Sequence, residues 1–195
     1  MNKTVEFFFD FGSPASYLAW TQLPRIANAA GAQIIWKPML LGGVFKATGN
    51  QSPVMIPSKG AWMLKDLARF AHRYNVQMNF NPNFPINTLT LMRGAAGYQG
   101  SERFEHYVKT IFEALWVEKK NLGKPEVVAE VLSAAGFDPA EFERLVSDEA
   151  VKECLKATTE EAIKRGVFGA PTFFIGSEMH FGQDRLDFVA EALAR

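Results

Sequence analysis

The segment Phe9-Asp10-Phe11-Gly12-Ser13-Pro14-Ala15-Ser16-Tyr17-Leu18 holds a strand end, a tight turn and a helix start in immediate succession. Upstream of it, Val5, Phe7, Phe8, Phe9 and Phe11 make a short, nearly continuous apolar run. That length and aromatic content predict a strand buried on both faces. Gly12 breaks the run. Ser13 then offers a hydroxyl N-cap, and Pro14 sits at the first helical position, where its missing N–H costs nothing. Tyr17, Leu18, Leu23 and Ile26 supply an apolar stripe up to Gly31. A second strand follows over Gln33 to Lys37, with Ile34, Ile35 and Trp36, and Pro38 ends it. Strand, helix and strand in that order predict a right-handed parallel unit.

Farther out, residues 40–58 are rich in Gly, Pro and Asn and read as a loop. From Gly60 to about Arg165 the apolar residues recur at helical spacing, as in Trp62, Met63, Leu67, Phe70 and Tyr74. Pro125 opens a helix that Gly136 closes, and Asp138-Pro139 opens the next. Near the C-terminus, Thr172 to Ile175 is a β-branched and aromatic strand. Gly176-Ser177 is a turn, and Glu178 to Phe181 is a short strand. An amphipathic helix carrying Leu186, Phe188, Val189 and Leu193 comes last, with Gln183 or Asp184 as its cap. The order is β-α-β, a helical block, then β-β-α. This α/β connectivity is that of a thioredoxin-like sheet, built from residues 1–58 and 166–195, with a helical domain inserted over residues 59–165.

Composition narrows the function. The chain has 195 residues, enough for one domain with a large insertion, and an apolar share of 48% supports a packed core rather than disorder. The 21 basic and 21 acidic residues cancel, which argues against general attraction to nucleic acid or an acidic membrane. Cys154 is the only cysteine, so no intrachain disulfide or cysteine-based zinc site can form. It falls beside Val151 and Leu155 in a helical pattern and reads as a small buried hydrophobe. His72, His106 and His180 lie far apart without ligand spacing, so no metal is expected. The N-terminus lacks the basic start and apolar core of a signal peptide, and no run is apolar enough to span a bilayer. A cytoplasmic location, or an organelle matrix, is the expectation.

Three segments carry a family resemblance. The turn around Ser13-Pro14-Ala15-Ser16 resembles the active-site turn of DsbA-like proteins, where Cys-Pro-x-Cys is usual. Gly166-Val167-Phe168-Gly169-Ala170-Pro171-Thr172 resembles the cis-proline loop of that fold, and Phe181-Gly182-Gln183-Asp184-Arg185 resembles the helix start beyond it. With serine in the turn, the chain resembles the 2-hydroxychromene-2-carboxylate isomerases and the kappa-class glutathione transferases. The resemblance implies a DsbA-like helical insertion, a homodimer and glutathione as cofactor. It also implies isomerisation of 2-hydroxychromene-2-carboxylate and trans-o-hydroxybenzylidenepyruvate in aromatic degradation. Transfer of glutathione to other electrophiles, peroxide reduction, or glutathione or peptide binding without catalysis are the alternatives.

The residues themselves allow the following chemistry. Neither Ser13 nor Ser16 supplies a sulfur, so thiol oxidation through this turn is excluded. A Ser13 hydroxyl can instead hydrogen-bond a ligand thiolate, and the helix N-terminus adds N–H donors and a positive dipole end. Otherwise Ser13 is only a cap. Pro171, if cis, leaves the backbone of Ala170 to pair with an extended peptide, a description that fits glutathione. Gln183 and Asp184 can hold the γ-glutamyl group, or merely cap a helix, and Phe181 and Gly182 match positions lining the family's glutathione site. Lys59 is a candidate for the glycyl carboxylate of glutathione, and Asn50 can hydrogen-bond either glutathione or the substrate. Lys46 is a candidate for the substrate carboxylate. Asn87 either contacts a substrate oxygen or caps the helix that starts near Thr88.

Overall fold

A computed structural model describes residues 3–195. Its elements run β1 (Thr4–Phe9), α1 (Pro14–Ala29), β2 (Gln33–Pro38), α2 (Leu41–Thr48), a 3-10 turn at Pro53–Met55 and α3 (Pro57–Tyr74). Then come α4 (Leu89–Tyr98), α5 (Phe104–Trp116), α6 (Pro125–Ala134), α7 (Pro139–Ser147) and α8 (Glu149–Lys164). The chain closes with β3 (Thr172–Ile175), β4 (Glu178–Phe181), a 3-10 turn at Gln183–Arg185 and α9 (Leu186–Ala194). The four strands form one sheet in the order β2-β1-β3-β4. β1 pairs parallel with β2 and antiparallel with β3, and β4 pairs antiparallel with β3. This is the DsbA-like arrangement of a thioredoxin sheet and helices.

The two-residue period of β1 divides its side chains between two cores. Phe7 and Phe9 face the larger one, where Phe7 stacks on Phe173 with ring centres 5.3 Å apart. Phe8 faces the smaller one with Met39, Val44, Ala162, Val167 and Phe174. Glu6, on the same face as Phe8, bonds Arg165 (2.6 Å), while Lys37 bridges to Glu161. α8 spans both regions, since Leu155 enters the larger core and Ala162 the smaller.

Several local expectations change. β1 stops at Phe9 rather than running on to Phe11. The Phe11 N–H points at Met92 Sδ (3.4 Å), and its carbonyl accepts the indole N–H of Trp116 (2.8 Å). The segment read as a loop contains α2. Its Gly42 and Gly43 argue against a helix by propensity, but close packing on α8 overrides that: a Cβ on Gly43 would lie 3.2 Å from Thr159 Cγ2. Neither Gln183 nor Asp184 caps α9, because a 3-10 turn intervenes and Arg185 holds the cap position without a side-chain bond. Cys154 is exposed rather than buried. The buried face of α8 is Leu155, Thr159 and Ala162, one residue out of phase with it.

Candidate active site

The turn after β1 is set by short-range bonds. The Ser13 N–H donates to the Asp10 carbonyl (3.0 Å), and the Gly12 N–H to Asp10 Oδ1 (2.8 Å). Ser13 is the N-cap of α1, with extended backbone and its Oγ accepting the Ser16 N–H (3.1 Å). Pro14 has no N–H to offer, so the Ala15 N–H is the first-turn donor without a helical partner. The first turn of α1 carries no acidic side chain, which leaves the positive end of the helix dipole unopposed on its own element.

Ser13 Oγ also donates to the Ala170 carbonyl (2.9 Å), and the Ala170–Pro171 peptide is cis, as the sequence suggested. That carbonyl is therefore engaged by Ser13 rather than open. The Pro171 carbonyl accepts the Gly182 N–H (3.0 Å), tying the proline loop to the end of β4. Gly182 has φ of 98°, a region that side chains disfavour. The rings of Phe168 and Phe181 sit 4.6 Å apart and are partly exposed. Phe181 lies so close over Gly169 that a Cβ there would be 2.7 Å from its ring.

These parts enclose a cleft of about 670 Å³. Ser13, Asn50, Lys59, Ala170 and Phe181 all line it, together with Asp10, Thr88 and the segment Phe84 to Ile86. Lys59 stands in the first turn of α3, the unfavourable end of the dipole for a cation, and makes no ion pair among the described residues. It is free to meet an anion. The Asn50 amide donates to the Phe168 carbonyl (2.8 Å), so it braces the loop after α2 against the proline loop.

Other candidates stand apart. Asp184 pairs with Arg185 (2.7 Å) and lines a separate hollow of about 530 Å³ between α1, α3 and α9. Gln183 is buried, and its carbonyl accepts the Tyr74 hydroxyl (2.8 Å). Burial pushes the Tyr74 phenol up to about 12, so it serves as a neutral donor. Lys46 is exposed in the last turn of α2, where a cation suits the dipole, and does not line the cleft. Asn87 Oδ1 accepts the Leu89 N–H (3.0 Å) in a turn just ahead of α4, while Thr88 holds the cap position without a side-chain cap bond. None of the three histidines lines the cleft. No group of acidic, His and Cys side chains fit for a metal occurs among the described residues, and no helix there is long and apolar enough to cross a membrane.

Two features escaped the sequence reading. Asp10 is 1% exposed, lines the cleft and accepts from Gly12 N, Leu41 N (2.8 Å) and the Thr88 hydroxyl (2.7 Å). Burial pushes its carboxyl pKa up, against the pull of those three donors. The signal was available: Asp10 puts a charge between Phe9 and Phe11 in an aromatic run. The second is a cis Phe84–Pro85 peptide on the cleft wall, for which the sequence carries no marker beyond the proline itself.

A family profile described as DSBA-like thioredoxin domain matches residues 4–194. The 2-hydroxychromene-2-carboxylate isomerase of Pseudomonas putida is 34% identical over 194 residues, covering 98% of this chain and 94% of that protein. Human glutathione S-transferase kappa 1 is 29% identical over 205 residues, covering 98% of this chain and 91% of that protein. A solved structure of a 2-hydroxychromene-2-carboxylate isomerase superposes with a TM-score of 0.87 at 35% identity, covering 98% of this chain and 95% of the other. Relatives of both kinds are enzymes.

Proposed function

From the chain's membership of the DSBA-like thioredoxin family, in the branch that holds 2-hydroxychromene-2-carboxylate isomerases and kappa-class glutathione transferases, we propose that it is a glutathione-dependent isomerase of 2-hydroxychromene-2-carboxylate. The observation that carries this reading is the Ser13 hydroxyl, held at the start of α1 and beside cis Pro171 in a cleft that also presents Lys59. A thiol bound there meets a hydroxyl donor, an N–H and a helix dipole, all of which favour the thiolate. For its sulfur to accept the Ser13 hydrogen bond, the hydroxyl turns away from the Ala170 carbonyl. Lys59 holds a glutathione carboxylate, and Asn50 and Ala170 frame the peptide. Pro171, Phe181 and Gly182 belong to the same proposed binding region, whereas Gln183 is buried and Asp184 lines the separate hollow, so these two meet the peptide only where it extends past the cleft lining. Lys46 and Asn87 lie outside the cleft lining, so they reach the substrate only if a loop shifts.

In the reaction, the ring C–O bond of the chromene breaks as its 2-hydroxyl proton passes to the phenol oxygen, which gives the open unsaturated α-keto acid. The thiolate sulfur then bonds the carbon next to the aromatic ring, the C=C pair moves into the adjacent bond, and the C=O pair moves onto the keto oxygen as an enolate. The former double bond is now single and rotates. The enolate then re-forms the C=C bond and expels the thiolate unchanged, so glutathione is not consumed. A homodimer, a cytoplasmic location and a place in aromatic degradation complete the reading. The identity to kappa-class transferases favours a second reading, transfer of glutathione to another electrophile. Assay of the hydroxychromene carboxylate with substoichiometric glutathione separates the two. Turnover beyond one equivalent is expected. Accumulation of a glutathione conjugate, or arrest after one equivalent, moves the assignment to transfer.

A further inference from the structure

Asp10 is the only carboxylate among the described residues that line the cleft, and no step above uses it. A buried, isolated carboxylate is costly unless donors replace its water. Here the donors come from three different parts of the chain. Oδ1 accepts the Gly12 N–H (2.8 Å) from the serine turn and the Thr88 hydroxyl (2.7 Å) from the entry to α4. Oδ2 accepts the Leu41 N–H (2.8 Å) from the start of α2. Each donor belongs to a segment that walls the cleft. The backbone of Asp10 adds a fourth tie, since its carbonyl accepts the Ser13 N–H (3.0 Å). Space around the turn is tight as well, because a Cβ on Gly12 would lie 3.1 Å from Thr88 Cγ2 and 3.3 Å from Asp10 Oδ1.

A purely structural link between these segments needs no charge, and it need not lie against the cleft. A negative charge beneath the proposed thiolate opposes it unless that charge is dispersed, and the three donors disperse it. Thr88 is the one side-chain donor of the three, so it is the element that can be altered without touching the backbone. Resting on the glutathione reading, we propose that Asp10 is a positioning residue for the bound thiol. With Gly12 and Thr88 its carboxylate sets where Ser13 presents its hydroxyl, and the Thr88 hydroxyl limits how much negative charge the sulfur meets.

The test compares the wild-type protein with Thr88→Ser, Thr88→Val and Asp10→Asn. Calorimetry gives glutathione affinity, ultraviolet thiolate absorbance gives the ionisation of bound glutathione at saturation, and steady-state assays give kcat and KM. Thr88→Ser keeps the wild-type values. Thr88→Val loses about tenfold in kcat, the scale of one hydrogen bond to a charged group, and shows a weaker thiolate signal per bound glutathione, with affinity little changed. Asp10→Asn loses kcat further, because its amide turns a donor toward a donor and so displaces the serine turn. If Asp10→Asn does not fold, the two Thr88 variants carry the test. Wild-type thiolate absorbance and kcat in folded Thr88→Val, or equal losses in Thr88→Ser, overturn the proposal. Absence of glutathione binding by the wild-type protein itself overturns the proposed function and this inference together.

Discussion

The Ser13 hydroxyl and the Ala170 carbonyl meet at 2.9 Å, joining the first residue before α1 to the residue before the cis proline. The same oxygen caps the helix by accepting the Ser16 N–H. Ser13 thus has two separable tasks, one for the helix and one for the cleft.

Replacement by glycine separates them. Glycine at an N-cap costs only roughly a few tenths of a kcal/mol, whereas alanine costs about 1. Ser13→Gly should therefore melt near the wild-type temperature while losing kcat by roughly 10- to 100-fold, the worth of a hydrogen bond to a charged group. Thermal melts and steady-state kinetics on the same preparation check this. Full activity in Ser13→Gly would leave the residue as a cap only.

Lys59 is exposed, so its pairing with a glutathione carboxylate is modest and screened. Lys59→Met should weaken glutathione binding by a factor of about 3 to 10 at low salt. The difference from wild type should shrink as ionic strength rises, with kcat at saturation nearly unchanged. Calorimetry at two salt concentrations reads this out, and a salt-independent difference would rule out a charge pairing.

Gly169 and Phe181 should act as one unit. The ring occupies the space that a Cβ on Gly169 would need. Gly169→Ala should displace it and cut kcat/KM much as Phe181→Ala does. The double variant should then lose less than the sum of the single losses, since neighbours that share one contact are not additive. Strict additivity would show that the ring's seat is irrelevant.

Acid stability should report Glu6. Burial opposes its charge, but the hydrogen bonds and charges of Arg165 and Lys37 outweigh it and hold the carboxyl below its ordinary 4.5. A lowered folded-state pKa means the stabilisation is present above 4.5 and is lost as pH falls toward the folded value. Wild-type melting temperature should drop through that window, and Glu6→Gln should start lower and fall less steeply. Parallel curves for the two proteins would refute the assignment.

Much of this architecture is written in local chemistry. The aromatic run of β1, the Ser13-Pro14 start, and the Gly136 and Asp138 punctuation are short-range signals, and the structure follows them. The site is less legible, because its polar centre is made by distance. Asp10 gains its partners from Leu41 and Thr88, and those contacts appear only once three segments converge. The helix α2 is invisible for a related reason: its glycines oppose it locally, and the contact that accounts for Gly43, with Thr159 on α8, is distant in sequence. Gln183 and Asp184 mislead in the opposite direction, since cap-like residues there enter a 3-10 turn instead.

The central claim is that a borrowed sulfur is held as an anion by Ser13, and a crystal structure of the protein with glutathione tests it most directly. The account predicts the sulfur within hydrogen-bond reach of Ser13 Oγ, at the N-terminus of α1, with the peptide running along Ala170. A glutathione whose sulfur points away from Ser13, or that occupies the hollow beside Asp184 instead, would contradict it.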